Sequence, residues 1–169
     1  LADALGSRFT EVETVRRSQP PAEVLRMIVR AILEKRHIIF DYHGRDGPSR
    51  REVSPHTVVY VADRLHLRGW DHNRGAPRDF VMTRIRWVKL GTKAAFYDRT
   101  EDHEWSERVW IEVSPKPGED REALRLDYGL NPEVGDRALY RIRRAHLIYL
   151  LDEGEGGVAA PVIVRRADL

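Results

Sequence analysis

The chain has 169 residues, of which 41% are hydrophobic and 33% are charged, and its formal net charge is +2. This length allows one or two domains with a sizeable core. The sequence contains no cysteine, which excludes disulfides and thiolate metal sites. It also contains no apolar run that could cross a bilayer and no signal-peptide pattern, so we expect a cytoplasmic protein with no membrane partner.

The charge is unevenly distributed along the chain. Residues 50–89 contain nine Arg and Lys against four Asp and Glu, whereas residues 98–136 contain five against twelve. A basic stretch followed by an acidic stretch indicates two modules with different partners. The basic stretch suits a phosphate-bearing ligand, and the acidic stretch is not expected to contact nucleic acid.

The first half of the chain predicts one helix followed by short strands. Residues 1–20 show no sustained periodicity, and we interpret them as a connector from an upstream domain. Ala22–Lys35 is predicted as a helix, because Pro21 suits the first helical position and apolar residues recur at helical spacing. About five short strands then extend to Leu90, with a turn at Gly44–Ser49. This order is typical of a small SH3-like or Sm-like barrel.

The stretch Pro55–Ile85 carries the most informative pattern, because a strand repeats every two residues. Its second predicted strand places three cationic or aromatic side chains on one face: His66, Arg68 and Trp70. Its third predicted strand places four side chains on one face: Arg78, Phe80, Met82 and Arg84. Cations and aromatic rings at matching period suit an anion with a stackable ring. The alternative is a solvated basic sheet face.

The second half, residues 93–169, alternates predicted strands and helices. Strands are predicted at Arg108–Ser114, Ala138–Ile142 and Pro161–Arg165, and helices at Asp120–Tyr128 and Arg144–Asp152. Gly129 is predicted to cap the first of these helices, and the glycines of residues 154–157 indicate a turn. This half therefore predicts a small α/β module.

Several motifs, in this order, resemble the WYL-domain family of regulators. They are Ser54-Pro55-His56, Arg78-Asp79-Phe80 and Thr83-Arg84-Ile85, followed in the second half by Asp102–Trp105, Leu126–Gly129 and Arg143–Leu151. The family's name-giving Trp-Tyr-Leu triplet corresponds to Leu65-His66-Leu67. Such a departure occurs in one branch of the family, transcriptional regulators associated with phage-defence islands. The resemblance covers the chain from about Ala22 to its end.

The resemblance implies an α+β chain in three parts. Residues 1–20 would be the connector, residues 21–92 an Sm-like WYL barrel that senses a ligand, and residues 93–169 a C-terminal extension that mediates dimerisation. Full-length family members also carry an N-terminal winged helix that binds operator DNA, and this chain shows no winged-helix pattern. The implied ligand is nucleic-acid-like, either single-stranded DNA or a cyclic nucleotide. No cofactor and no metal ion is expected.

By resemblance, the family's ligand pocket corresponds to seven residues: Tyr42, Ser54, His56, His66, Arg68, Arg78 and Arg84. Arg offers a planar fork for phosphate oxygens, His and Ser add short donors, and an aromatic ring can stack on a base. Structural alternatives stay open for two of the seven. Arg84 could pair with Asp79 or Glu52, and His56 could cap a turn.

Other functions remain as alternatives. The chain could be a stand-alone single-stranded nucleic-acid-binding module, and a nucleic-acid-processing enzyme is a more distant third. The sequence contains no phosphate-binding glycine loop, no HExxH and no nucleophile elbow, so we do not expect an enzyme. Four neighbouring residues match no metal-ligand spacing: Asp63, His66, Asp71 and His72.

The segment Trp105–Leu169 is predicted to hold a homodimer. It contains five apolar or aromatic residues that one small module does not easily bury: Trp105, Trp110, Tyr128, Tyr149 and Leu150. Its acidic charge would oppose self-association unless arginines of a partner meet it, and a regulator that reads a two-fold operator needs two-fold symmetry. The alternative is that Tyr149 and Leu150 complete the module's own core.

Overall fold

A computed structural model describes residues 18–61, 64–92, 96–151 and 161–167. Residues 1–17 of the predicted connector and the predicted turn at residues 154–157 lie outside these ranges. No helix within the ranges is long and apolar enough to span a membrane.

The first described element is helix α1, which spans Ala22–Glu34 and is one residue shorter than predicted. Its buried side chains Val24, Ile28 and Ala31 recur every three or four residues, which gives the helix one apolar stripe to pack against a sheet. The helix ends because Lys35 adopts a left-handed conformation, with φ of 50°, that closes the last turn.

Five antiparallel strands follow α1, as the alternation in the sequence predicts. They are β1 Ile38–Gly44, β2 Gly47–Val61, β3 Arg64–Asp71, β4 Ala76–Val81 and β5 Ile85–Leu90, in the spatial order β4-β3-β2-β1-β5. The turn between β1 and β2 contains only Arg45 and Asp46, which makes it shorter than the predicted turn. Gly47, at φ of 96°, pairs directly with Gly44.

The closed Sm-like barrel that we expected is not formed in the described part of the chain. A barrel closes only when its two edge strands hydrogen-bond to each other, and β4 and β5 are the two edges of this sheet without pairing. A 3₁₀ turn over Met82–Arg84 separates them and breaks the ladder. The predicted third strand therefore ends at Val81, and the first module is an open five-stranded sheet.

Helix α1 covers one face of this sheet and forms the main core with it. The buried side chains from the strands include Ile38, Phe40, Leu67 and Phe80. The β2–β3 pair is tightest at Gly69, where an added Cβ would lie 2.4 Å from the carbonyl oxygen of Ser54. Only glycine allows this approach of the two strands.

The second module is a three-stranded antiparallel sheet in the order β7-β6-β8. Its elements are α2 His103–Ser106, β6 Arg108–Pro115, α3 Arg121–Tyr128, β7 Ala138–Arg143, α4 Leu147–Leu151 and β8 Val162–Arg166. Gly129 caps α3 at φ of 61°, as predicted, whereas the predicted helix from Arg144 begins as a 3₁₀ turn over Arg144–His146. Leu124 of α3 packs on Val113 of β6 and on Val162 of β8.

The second module covers the face of the first sheet that α1 leaves open. Trp105 of α2 and Ala145 form a buried cluster with Val59 of β2. Val59 alternates along β2 with Val58, which packs on the α1 side. The first sheet is therefore enclosed between α1 and the second module, and its polar strand face becomes an internal surface.

Candidate functional site

The strand register places the predicted basic residues on two different faces of the first sheet. Arg68 pairs with Asp79, and the next residue, Gly69, pairs with Arg78. Because side chains alternate along a strand, Arg68 and Arg78 point to opposite faces rather than to one common face. His66 and Arg68 share the face that the second module covers, and Arg78 is exposed on the other.

Arg68 is buried, with 3% exposure, and carboxylates of both modules surround it. Its Nε and Nη2 donate to the two oxygens of Asp102 at 2.7 and 3.0 Å, which is a bidentate pair. Nη2 also donates to Glu104 at 3.1 Å, and Nη1 donates to Asp79 at 3.3 Å. Burial opposes the charge of Arg68, yet the hydrogen bonds that it donates to Asp102 and the charge of Asp79 raise its pKa above the ordinary value.

Asp102 connects this arginine to a second predicted site residue. His56 Nε2 lies 3.1 Å from Asp102 Oδ2, and Asp102 also accepts the backbone N–H of Trp105 at 3.0 Å, which caps α2. Burial tends to raise the pKa of the Asp102 carboxyl, but the hydrogen bonds from His56 and Arg68 outweigh it and hold that pKa well below its usual range. We call Arg68, Asp79, Asp102, Glu104 and His56 the charge junction.

Tyr149 of α4 extends the charge junction toward a third predicted site residue. Its hydroxyl donates to Asp79 at 2.9 Å, and its ring centroid lies 5.0 Å from that of His66. Burial, together with the charge of Asp79, raises the pKa of Tyr149. His66 and His146 each have a buried ring nitrogen without a hydrogen-bond partner in the described structure, and burial lowers the pKa of both.

Ser54 and Tyr42 serve separate contacts. Ser54 Oγ lies 2.8 Å from His72 Nε2 and accepts the backbone N–H of Tyr97 at 3.2 Å, which ties the start of the second half to β2. Tyr42 packs edge-on against Phe80, and its hydroxyl accepts the N–H of Val81 at 3.2 Å. The structure thus brings His56, His66 and Arg68 together, and it places Ser54 and Tyr42 elsewhere.

Arg84 lines a hollow of about 300 Å³ at the end of the first sheet. The other lining residues are Ser18, Gln19, Pro20, Tyr60, Arg64, Leu65, Val81 and Thr83. Neither alternative partner of Arg84 engages it, since Asp79 pairs with Arg68 and Glu52 lies 3.1 Å from His37. The sequence analysis did not include Arg64 in the site, although Arg64 precedes His66 by two residues on β3 and so faces the same side of the strand as His66 and Arg68.

Comparison with known proteins shows a WYL domain and similarity to transcriptional repressors. Residues 23–90 match the WYL domain family. The DNA-binding transcriptional repressor CapW of Pseudomonas aeruginosa is 34% identical over 136 residues, which is 77% of this chain and 44% of the repressor. CapW of Stenotrophomonas maltophilia is 30% identical over 135 residues, which again is 77% of this chain and 44% of the repressor. The chain therefore spans less than half the length of these relatives.

One solved structure with a similar arrangement is the proteasome accessory factor B/C (PafBC) of Arthrobacter aurescens. The similarity covers 98% of this chain and 28% of that chain, with 18% sequence identity and a TM-score of 0.47.

The charge junction should contribute strongly to stability. We expect Asp102→Asn to lower the free energy of unfolding by about 3 kcal/mol, because the substitution leaves a buried guanidinium short of its main counter-charge. Because asparagine can still cap α2, the loss of stability would measure the contribution of the Asp102 charge. The matched control is Asp98→Asn, which breaks an exposed pair with Lys35 and should cost under about 1 kcal/mol. Equal losses in urea denaturation would show that the junction carries no special weight.

Stability should fall in mild acid. The lowered pKa values of His66 and His146 mean that the unfolded chain takes up protons, near pH ~6.5, before the folded protein does. The free energy of unfolding should therefore decrease as the pH falls from about 7 to about 5.5. His66→Gln should reduce that decrease, and His43→Gln, at an exposed position on β1, should not. An unchanged pH slope in His66→Gln, measured by urea denaturation, would contradict this origin.

Proposed function

The chain is a WYL-domain protein related to transcriptional repressors, and from this premise we propose that it is the ligand-sensing and dimerisation part of a bacterial transcriptional regulator. Its ligand is a nucleotide or a single-stranded nucleic acid, bound at the basic WYL sheet. The relatives are named as DNA-binding, and the chain spans 44% of their length. We therefore assign operator binding to a winged helix outside this chain.

The hollow beside Arg84 is the observation that carries the ligand proposal. Arg84 and Arg64 line it without an ion pair to any carboxylate in the described part of the chain, and Thr83 adds a hydroxyl. Two guanidinium groups can bind phosphate oxygens bidentately, and the ring of Tyr60 offers a surface for a base. The volume of about 300 Å³ lies at the lower end of the range for ligand pockets.

Arg68 has a different role in this proposal. Its guanidinium is already saturated by Asp102 and Glu104, so a phosphate can reach it only by displacing those carboxylates. The acidic start of the second module thus occupies the place of an anionic ligand. An anion that binds better to the opened junction than to the closed one would shift the second module away from the sheet.

Ligand at the hollow also has a short path to the second module. His66 lies directly opposite Val81 across the β3–β4 ladder, and Val81 lines the hollow together with Arg84. The His66 ring contacts Tyr149 of α4, and Tyr149 in turn donates to Asp79 of the charge junction. An anion that neutralises Arg84 would therefore change the electrostatics at the contact between the modules.

The alternative function is a stand-alone single-stranded nucleic-acid-binding module. The same basic sheet would bind the nucleic acid, but the contact between the ligand site and the second module would then have no DNA-binding activity to regulate. The kinship with DNA-binding repressors favours the regulator. A full-length reading frame that continues upstream into a winged helix would distinguish the two.

Binding of a short ligand should depend on Arg84. We expect Arg84→Ala to weaken the binding of a cyclic nucleotide or of trithymidylate by roughly 1.5–3 kcal/mol, the range for a charge-assisted hydrogen bond. Binding should also weaken as salt rises, because counterions compete for the arginines. Isothermal titration calorimetry of both ligands at two salt concentrations would measure these effects.

Arg74→Ala is the matched control, since Arg74 lies in the exposed turn between β3 and β4, away from the hollow. It should leave the affinity unchanged. If wild type and Arg84→Ala bind either ligand equally well, the ligand site is not at this hollow.

Two of the side chains predicted to hold the homodimer, Trp105 and Tyr149, are not available for it. Trp105 is buried against Val59, and Tyr149 is engaged by Asp79, so both are used within the chain. Exposed apolar side chains remain on α4, where Ile148 is 64% exposed and Leu151 is also exposed. We propose that two copies of the chain pack α4 against α4, which would give the two-fold symmetry that an operator requires.

Ile148→Asp should convert this dimer to a monomer, because it would bury two carboxylates at a two-fold contact. Static light scattering would report the change against the chain mass of 19.6 kDa. Leu126→Asp, at an exposed apolar position on α3, should leave the dimer intact. A wild-type mass of one chain at micromolar concentration would rule out the assembly.

A further inference from the structure

The second sheet has one face that α3 does not cover. On β6, the central strand, Val109, Ile111 and Val113 are buried, and Val113 packs on Leu124 of α3. Alternation therefore turns Trp110 to the opposite face, where it is 39% exposed. We call this opposite side of β7-β6-β8 the outer face.

Trp110 lies at the centre of the outer face with cations beside it. Arg141 of β7 is its direct cross-strand partner, and Arg108 precedes it by two residues on the same strand. On the other side, Ala167 donates its backbone N–H to the Trp110 carbonyl at 2.9 Å.

The arginines of the outer face have no carboxylate partner in the described ranges. Arg108, Arg141 and Arg165 are all exposed and form no ion pair there. Four other arginines of the second module do meet carboxylates: Arg121 and Arg125 pair with Asp136, Arg137 with Glu112, and Arg144 with Glu107. Glu112 also lies on this face, directly opposite Arg165, and pairs with Arg137, so within the described residues Arg108 and Arg141 keep their positive charge beside Trp110.

A hollow of about 750 Å³ lies beside the Glu112–Arg165 end of this face, and Trp110, Arg108 and Arg141 are not among its lining residues. Its lining includes Glu112, Leu139, Arg165 and Ala167. The carboxylate of Glu112 is bridged to Arg137 at 3.0 Å, which reduces its repulsion of an anion. Leu139 is exposed and adds apolar surface beside the cations.

We propose that the outer face binds single-stranded nucleic acid, with a base stacked on Trp110 and phosphates held by Arg108, Arg141 and Arg165. An open aromatic ring flanked by cations on a flat sheet is the arrangement that binds unpaired bases with little sequence preference. A duplex hides the faces of its bases and cannot stack on the ring. A second copy of this chain would bring arginines against arginines, which electrostatics opposes.

This surface is separate from the hollow beside Arg84, which lies in the first module, and it does not depend on the ligand proposed there. It reverses the expectation, based on the acidic composition of residues 98–136, that the second module avoids nucleic acid. The physical reason is that several carboxylates of the module pair with other arginines, among them Glu112 on this same face, which pairs with Arg137.

The test uses the whole chain carrying Arg84→Ala, so that binding at the first module is weakened from the start. A fluorescein-labelled 15-residue oligothymidylate is titrated by anisotropy, with unlabelled duplex of mixed sequence as competitor. Adding Trp110→Ala should weaken binding roughly 5- to 150-fold, the range for loss of one stacked base, and Trp110→Phe should restore part of it. Arg141→Gln should weaken binding and lower the slope of log affinity against log salt by about 1.

Trp87→Ala is the matched control. Trp87 is similarly exposed, at 43%, but Arg50 and Lys89 already lie over its ring at 5.2 and 5.6 Å. Its loss should leave the affinity unchanged, and the duplex should compete weakly. The proposal is overturned if Trp110→Ala binds as well as its parent, if Trp87→Ala has the same effect, or if the duplex competes as well as single strands. It is also overturned if Trp110→Ala changes the oligomeric mass, since the face would then be a contact between copies of the chain.

Discussion

The buried ion pair between Arg68 and Asp102 is the constraint on which the rest of the structure depends. Two charges taken out of water are costly unless their hydrogen bonds are satisfied, and here His56, Asp79 and Glu104 supply the remaining partners. Arg68 belongs to the first sheet and Asp102 to the segment that opens the second module. The pair therefore ties one module to the other, and Trp105 and Tyr149 pack at the same contact between the modules.

This arrangement gives the polar face of the first sheet two kinds of position. Near the centre, His56, His66 and Arg68 face the second module and are buried by it. At the end of the sheet, Arg84 and Arg64 border an open hollow. These two arginines are half-buried, whereas the junction is sealed. In the proposed function, an anionic ligand and the carboxylates of the acidic segment would compete for the charge of Arg68.

The sequence anticipated many of the elements, because local patterns decide them. Apolar spacing placed α1 to within one residue, strand alternation placed His66 and Arg68 on one face, and Gly129 marked the end of α3. It failed where pairing partners matter. The register of β3 against β4 sets Arg78 opposite Gly69 and so turns it away from Arg68. The 3₁₀ turn at Met82–Arg84 leaves the expected barrel open.

By itself, the sequence determined the helix, the strands, the basic and acidic stretches and the kinship with a family of regulators, since each is written in neighbouring residues. Only the tertiary structure decided which charges are free. Arg68 and Arg84 look alike in sequence, yet Arg68 meets Asp102, 34 residues away, while Arg84 lines an open hollow. Trp110 and its arginines stand out for the same reason, because the neighbouring carboxylates Glu107 and Glu112 pair with other arginines. Charge compensation is a long-range property, and local composition does not record it.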